Sequence, residues 1–211
     1  MAYSDFDLAT VQHDFHLAVR EVPGLFRAVA PLQPTDRLTD ALAEGDPLAR
    51  ALNTEKARSE LLIMPVLLDL RRHFPGQVSL FSGVFFAVDP AEGLTGYCDY
   101  VLSRSPLQLL ITAPVAVIVE AKNENIPGGL GQCLAAMVAA RRFNTRQQTG
   151  VSTILGAVTS GTAWRFLRLA GDCADIDLDE YDLPREVAQI LGILAHALVD
   201  VPAAAPLVHS P

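Results

Sequence analysis

Two spacings of apolar residues divide the chain. In four stretches apolar residues recur every three or four positions, as in a helix with one buried face: 8–20, 54–72, 131–144 and 185–199. Short runs rich in β-branched and aromatic residues lie between them and predict strands at 77–88, 97–103, 117–122, 151–159, 162–169 and 174–178. The interleaving of the two patterns predicts a mixed α/β fold.

Two segments follow neither spacing. Residues 21–48 are rich in proline and polar turn residues, which predicts a wrapping segment with at most short helices, such as 36–43. The last eleven residues, VPAAAPLVHSP, are expected to be loose.

The predicted helix 54–72 contains the first candidate site residue. Its apolar face comprises Ala57, Leu61, Met64 and Leu68. Pro65 removes a backbone donor, which predicts a kink near Leu61. Glu60 borders the apolar face rather than opposing it, so its carboxylate is a candidate for a site. The alternative is a flanking carboxylate paired with Lys56 one turn earlier.

The strand predicted at 117–122 ends in an acid and a base. Because a strand has a period of two, Glu120 and Lys122 point to the same side as Ile118. Isolated charges are costly to bury, so two of them directed at one spot beside an apolar strand indicate a site. The alternative is a surface ion pair at a frayed strand end.

Two further polar residues occupy unusual positions. Asp99 lies in a mostly apolar strand, where aspartate is depleted, and we expect it to share a face with Tyr97, Val101 and Ser103. Alternatively, Asp99 is an ordinary aspartate of an edge strand or a turn. Gln132 lies in the first turn of a helix, where backbone donors are unpaired, or it is simply a solvated residue there.

The glycine run 128–131 before that helix lacks both the GK[ST] of a phosphate loop and the third glycine of a dinucleotide fingerprint. It therefore predicts a turn into a closely packed helix.

Composition narrows the class of protein. The formal net charge of −8 argues against wholesale coating of nucleic acid but leaves room for a local basic groove. Three widely spaced cysteines without a CxxC favour a reducing cytoplasm, and no apolar run is long enough to span a membrane. The start, MAYSDFDLAT, has no basic region before an apolar core, so no secretory signal is expected.

The order of the candidate residues resembles the PD-(D/E)XK, or restriction-endonuclease-like, nuclease superfamily. Glu60 comes on a helix, Asp99 on a strand hairpin, Glu120-Ala121-Lys122 on the next strand, and Gln132 on the following helix. The stretches NTEKARSELLIMPVLLDLRR, GLTGYCDYVLS, VIVEAKNENIPGGLGQCLAAMVAA and GAVTSGTAWRFLRL resemble a bacterial family of this superfamily whose members are largely uncharacterised. One departure is Cys98, which stands where the superfamily name has proline.

The resemblance implies one nuclease-like domain over residues 1–211. Its restriction-endonuclease-like core, at about 54–170, would be a central mixed sheet flanked by helices. The N-terminal helical extension and wrapping segment, 1–50, and the last helix, 185–199, would be additions to that core.

The resemblance also implies a chemistry, the metal-dependent hydrolysis of phosphodiesters. Asp99, Glu120 and the carbonyl of Ala121 would hold Mg²⁺ or Mn²⁺, with Glu60 bound through water. Lys122 would stand beside the attacking water or the phosphate, and Gln132 would hydrogen-bond one of them.

The implied substrate is nucleic acid, DNA before RNA. Arg141, Arg142 and Arg146 are the first candidates for its contact, and Arg71, Arg72, Arg165 and Arg168 are further ones. A homodimer is the assembly implied by analogy. The alternatives are RNA as substrate and a non-catalytic nucleic-acid-binding or assembly module on the same fold.

Overall fold

The computed structural model describes residues 1–199, so the predicted loose tail at 201–211 lies outside the described residues. The helices are α1 (Leu8–Asp14), α2 (Asp36–Leu52), α3 (Glu55–Arg58), α4 (Met64–Arg72), α5 (Ile126–Arg146) and α6 (Leu183–Leu198). A π-helical turn, Ser59–Ile63, joins α3 to α4. The strands are β1 (Ala18–Val22), β2 (Ser79–Asp89), β3 (Leu94–Ser103), β4 (Val115–Ala121), β5 (Thr153–Thr159), β6 (Ala163–Ala170), β7 (Cys173–Asp177) and β8 (Tyr181–Asp182).

All eight strands form one mixed sheet in the order β1-β7-β6-β5-β4-β3-β2, and β8 pairs with β6. The β1–β7 and β4–β5 pairs are parallel and the others are antiparallel. The core residues form two clusters, one containing those of α1 and α5 and the other those of α2, α4 and α6. The predicted mixed sheet flanked by helices is therefore confirmed.

The strand β4 lies inside the sheet between β5 and β3, and all seven of its residues are buried. Ile118 belongs to the core cluster of α5, whereas Val117 and Val119 belong to the cluster on the other face. Burial on both faces explains why this strand is a continuous apolar run.

The N-terminal helix predicted at 8–20 is wrong after its first seven residues. α1 ends at Asp14, and His16 takes a left-handed conformation with φ of 53°. Ala18–Val22 then forms β1, which pairs in parallel with β7. Strand pairing with a distant segment outweighs the local helical spacing, which no short-range pattern reveals.

The wrapping segment contains a longer helix than predicted. Instead of 36–43, α2 spans Asp36–Leu52 and includes Pro47. Gly45 allows this helix to approach its neighbour, since a Cβ there would lie 2.7 Å from the carbonyl oxygen of Leu61. Packing against the following helix therefore extends α2 through a proline.

The irregularity predicted near Leu61 exists as the π turn. The backbone N–H of Met64 donates to the carbonyl of Ser59, five residues earlier. The extra residue in this turn changes the helical phase, so the predicted apolar face is only partly confirmed. Ala57 is buried and Leu61 and Met64 pack partly buried against the core, but Leu68 is exposed. The fully buried apolar residues are Leu62, Ile63, Val66, Leu67 and Leu70.

The alternation of faces along β3 changes at Asp99. Cys98 and Val101 both belong to the α5 cluster, whereas Tyr100 belongs to the other cluster. Opposite Asp99 lies Gly83, whose φ of 58° suits glycine. The expected shared face of Tyr97, Asp99, Val101 and Ser103 is therefore wrong, because the alternation of faces does not continue through Asp99.

Within residues 1–199, no helix combines the length and apolar character needed to cross a membrane.

Candidate active site

An acid and a base meet at the carboxyl end of β4. Nζ of Lys122 lies 2.7 Å from Oε1 of Glu120 and donates a 3.0 Å hydrogen bond to Oε1 of Gln132. Glu120 is only 4% exposed, and the Lys122 side chain is 25% exposed. The pair is therefore largely buried at the end of β4. It is not a surface ion pair at a frayed strand end.

Asp99 joins this group from the neighbouring strand. Its Oδ2 accepts a 2.7 Å hydrogen bond from the backbone N–H of Ala121, between Glu120 and Lys122. The pairing of Tyr100 with Val119 is the last of the β3–β4 ladder, so a side chain replaces the next main-chain contact. Asp99 thus brings a carboxylate to the end of β4.

The charges in this group act strongly on one another. Burial, and after it the charge of Asp99, raises the pKa of Glu120 to about 8, although Lys122 opposes the shift. Burial alone would lower the pKa of Lys122, but the Glu120 and Asp99 carboxylates outweigh it and raise that pKa. The site therefore holds two crowded carboxylates and a firmly protonated lysine.

The first turn of α5 closes over the lysine. A Cβ on Gly129 would lie 2.7 Å from Cγ1 of Val158 and 3.1 Å from Cγ and Cε of Lys122. A Cβ on Gly131 would lie 2.3 Å from the carbonyl carbon of Asp7. These glycines serve close packing, as predicted, and they bring Gln132 to Lys122. The predicted turn at 128–131 is wrong, because α5 begins at Ile126, so Gln132 lies in the second turn of the helix and not in the first.

Glu60 lies apart from this group. It is exposed, and its Oε1 lies 2.6 Å from Nζ of Lys56, which is the pairing considered as the alternative. Its charge contributes to the raised pKa of Tyr100. Glu60 is therefore placed near β3, while its predicted role as a metal ligand through water stays a prediction.

Glu55, which the sequence reasoning missed, has a weaker electrostatic effect on the site than burial and Asp99 have. Its charge contributes to the raised pKa of both Glu120 and Lys122. It lies in the first turn of α3, where Oγ1 of Thr54 accepts a hydrogen bond from the backbone N–H of Ala57. The available signal was an acid immediately after a helix-capping threonine.

A buried tyrosine fixes the helix that carries these acids. The Tyr100 hydroxyl lies 2.5 Å from Oγ of Ser59 and donates to the carbonyl of Ser59. This contact joins β3 to Ser59, the first residue of the π turn and the neighbour of Glu60. Sequence alone does not predict it, because it depends on the helical phase set by the π turn.

The carboxylate oxygens of this group suit a hard divalent cation as ligands. Within residues 1–199, Oδ1 of Asp99 and Oε2 of Glu120 accept no hydrogen bond from the protein. Among the same residues, no three acidic, histidine or cysteine side chains form a metal-binding cluster. Mg²⁺ commonly uses one or two carboxylates and keeps several waters, so this set fits Mg²⁺ or Mn²⁺ rather than a fully protein-lined cage.

The three arginines first considered for substrate contact lie at the far end of α5. At 1.5 Å per residue, Arg141 is about 14 Å and Arg146 about 21 Å along the helix from Gln132. All three pair with acids: Arg141 with Asp172 at 3.0 Å, Arg142 with Asp89 at 3.2 Å and Glu92 at 2.8 Å, and Arg146 with Asp89 at 3.1 Å. The further candidates are also engaged: Arg71 by the carbonyl of Val78, Arg72 by Asp69, Arg165 by Glu180 and Arg168 by Asp175.

An exposed aromatic pair lies closer to the site. Phe85 and Tyr97 pair across β2 and β3, with ring centroids 5.3 Å apart, and are 57% and 70% exposed. Tyr97 precedes Asp99 by two residues, about 7 Å along a strand. The sequence reasoning did not single out this pair.

Comparison with known proteins adds no assignment. No protein-family model matches the chain, and no curated protein matches it.

Proposed function

We propose that this chain is a metal-dependent phosphodiesterase, a nuclease with a PD-(D/E)XK centre on a restriction-endonuclease-like core. The observation that carries the proposal is the convergence of Asp99, from the middle of β3, with Glu120 and Lys122 at the carboxyl end of β4, with Gln132 bound to the lysine. A buried glutamate and a partly buried aspartate beside a protonated lysine are costly to fold and indicate chemistry rather than stability.

Asp99 and Glu120 would hold Mg²⁺ or Mn²⁺, together with the carbonyl of Ala121. When bound, such an ion lowers the pKa of a water and withdraws charge from phosphoryl oxygens. Lys122 places a fixed positive charge beside the two acids, where it stabilises negative charge that develops on a phosphate. Gln132 orients Nζ of Lys122 by accepting a hydrogen bond from it.

Glu55 is the upstream carboxylate that we add to this centre. Its charge already acts on Glu120 and Lys122, whereas Glu60 is paired with Lys56. Glu60 keeps its place in the proposal as a ligand through water, which would require the Lys56 pair to open. Because both partners of that pair are exposed, opening it costs about 0.5 kcal/mol.

We propose nucleic acid, DNA before RNA, as the substrate. The exposed pair of Phe85 and Tyr97 gives unpaired bases a surface for stacking near Asp99. The arginines of α5 are bound to acids, so phosphate contact through Arg141, Arg142 and Arg146 would require rearranged ion pairs. Substrates with unpaired bases near the scissile phosphate therefore suit this surface best.

The second candidate function is a non-catalytic binding or assembly module on the same fold. The ion pairs of Arg141, Arg142 and Arg146 with acids favour it, because a nuclease whose helix arginines are neutralised binds duplex backbone weakly. By analogy with the superfamily, a homodimer would supply a second active site, so that both strands of a duplex could be cut. The cytoplasm is the proposed location, in keeping with Cys98, Cys133 and Cys173 as free thiols.

The test is cleavage of single-stranded, duplex and branched DNA and of RNA with Mn²⁺ or Mg²⁺. We expect cleavage by the wild type, loss in Lys122→Ala and retention in Lys56→Ala. Lys56 and Lys122 are the two lysines of the chain, so this comparison separates the site from general charge. Metal binding without cleavage of any substrate would favour the binding module, and cleavage that survives Lys122→Ala would refute the proposed centre.

A further inference from the structure

A cavity lies at the opposite end of β5 from the candidate active site. It has a volume of about 600 Å³ and opens beside Thr153, where β5 begins. Ala121 pairs with Thr159 at the other end of β5, about 20 Å away along the strand. The cavity is therefore separate from the candidate active site, and its size suits a small molecule.

The charged lining of this cavity is mostly basic. Among the residues described, three arginines and one acid line it: Arg20, Arg104, Arg168 and Asp175. The acid is 2% exposed, so the arginines form most of its charged surface. In a chain with a formal net charge of −8, a basic cavity is a local reversal of charge.

Asp175 holds two of the guanidinium groups in place. Nε of Arg20 donates to Oδ1 of Asp175 at 2.7 Å, and Nη2 of Arg168 donates to Oδ2 at 2.7 Å. The three residues are neighbours on β1, β7 and β6, so the sheet fixes their spacing. Two guanidinium groups against one carboxylate leave one positive charge uncompensated.

The arginines also retain exposed surface. The side chain of Arg20 is 59% exposed and that of Arg168 is 42% exposed. Each directs Nε and Nη2 to Asp175, and Nη1 makes no hydrogen bond within residues 1–199. Guanidinium groups held rigidly with donors to spare are suited to phosphate and carboxylate.

Another part of the cavity lining is apolar. Phe26, Leu155 and Ile193 belong to this part and to the core cluster shared with α6. A ligand that fits both parts of the lining has an anionic group at one end and an apolar or aromatic body at the other.

We propose that this cavity binds a small organic anion, with its phosphate or carboxylate on Arg20 and Arg168 and its apolar body against Phe26 and Ile193. Asp175 is a positioning residue that orients the two guanidinium groups. This proposal is independent of the nuclease chemistry at the other end of the sheet.

Cys173 provides a reporter for the test. It lines the cavity and is partly exposed, whereas Cys98 and Cys133 are buried. The wild-type protein is labelled with the neutral reagent 4,4′-dithiodipyridine in the presence of phenyl phosphate, benzoate, inorganic phosphate or benzyl alcohol. We expect phenyl phosphate or benzoate to slow the labelling of Cys173, and the comparison of the two identifies the preferred anionic group. Benzyl alcohol, the neutral control, should not slow it.

The variants Arg168→Gln and Arg20→Gln should each weaken protection about tenfold, because each removes a charged hydrogen-bond donor. Arg168→Lys keeps the charge, so protection of Cys173 in this variant should be weaker than in the wild type but stronger than in the two glutamine variants. The matched control is Arg50→Gln, since Arg50 pairs with Asp46 on the surface of α2. Equal protection by benzyl alcohol and phenyl phosphate, or equal protection in all four variants, would overturn the proposal, as would no protection by any probe.

Discussion

The backbone N–H of Ala121 donates a 2.7 Å hydrogen bond to Oδ2 of Asp99. This bond joins a side chain of β3 to the main chain between the acid and the base of β4. It orients one carboxylate oxygen and leaves Oδ1 unengaged by the described protein residues. The same hydrogen bond therefore satisfies the backbone N–H of the last residue of β4 and positions a candidate metal ligand.

Replacement of Asp99 separates these two roles. Asp99→Asn keeps a carbonyl oxygen that can accept from Ala121 but removes the charge. We expect it to fold like the wild type and to bind Mn²⁺ at least about tenfold more weakly, a loss of about 1.4 kcal/mol. Isothermal titration calorimetry measures the affinity, and thermal unfolding checks the fold. Unchanged Mn²⁺ affinity in a folded Asp99→Asn variant would remove Asp99 from the site.

Glu55 and Glu60 offer a matched pair of substitutions on one helix. Because the charge of Glu55 acts on Glu120 and Lys122, Glu55→Gln should reduce cleavage by about tenfold or more. Glu60→Gln should reduce it less, since Glu60 is paired with Lys56. Single-turnover cleavage at saturating Mn²⁺ compares them. A larger loss for Glu60→Gln would restore the assignment made from the sequence.

The strand β4 shows what the sequence could predict. Its apolar run, its charged end and the shared side of Glu120 and Lys122 follow from a period of two and from burial on both faces. These are local properties, so one chain is enough to find them. The resemblance in the order of the elements added Asp99 and Gln132, which the structure brings to the same place.

The parts that could not be predicted depend on distant or irregular structure. The π turn at Ser59–Ile63 shifts the helical phase, so an unbroken 3.6-residue period selected Glu60 and overlooked Glu55. β1 forms because it pairs with β7, about 150 residues later in the chain. The arginines of α5 looked basic along the sequence, but Asp89 and Asp172 neutralise them from other elements.

Gly129 should control the position of Lys122. Gly129→Ala places a methyl group within 3.1 Å of the Lys122 side chain and 2.7 Å of Val158, so we expect lower cleavage and a stability loss of about 1–3 kcal/mol. Gly45→Ala is the control, because a Cβ there would lie 2.7 Å from a backbone oxygen of Leu61, away from Lys122. It should lose comparable stability but keep its activity. Equal activity in the two variants would show that contact with Gly129 does not position the lysine.

The exposed aromatic pair should contribute to binding of unpaired bases. We expect Phe85→Ala and Tyr97→Ala each to weaken binding of a single-stranded oligonucleotide by about 1–3 kcal/mol, with little change in salt dependence. Fluorescence anisotropy with the inactive Lys122→Ala background measures this without cleavage. Leu109→Ala is the control, since Leu109 is 99% exposed on the loop whose Gln108 binds the other end of β2. Equal binding by all three would exclude stacking on this pair.

Asp175 should make part of the stability depend on pH. Burial alone would raise its pKa, but hydrogen bonds from Arg168 and Arg20 outweigh burial and lower the pKa below 3.8. The folded state therefore favours the ionised carboxylate, so the contribution of Asp175 to stability is present above the unfolded pKa and is lost as pH falls through the folded pKa.

Asp175→Asn should lower the free energy of unfolding by about 1–3 kcal/mol at pH 6 and by less near pH 3. Urea unfolding at several pH values measures the difference, with Asp46→Asn as the control for a surface pair with Arg50. A deficit in Asp175→Asn that stays constant from pH 6 to pH 3 would contradict the ionic contribution and indicate that packing alone explains the loss.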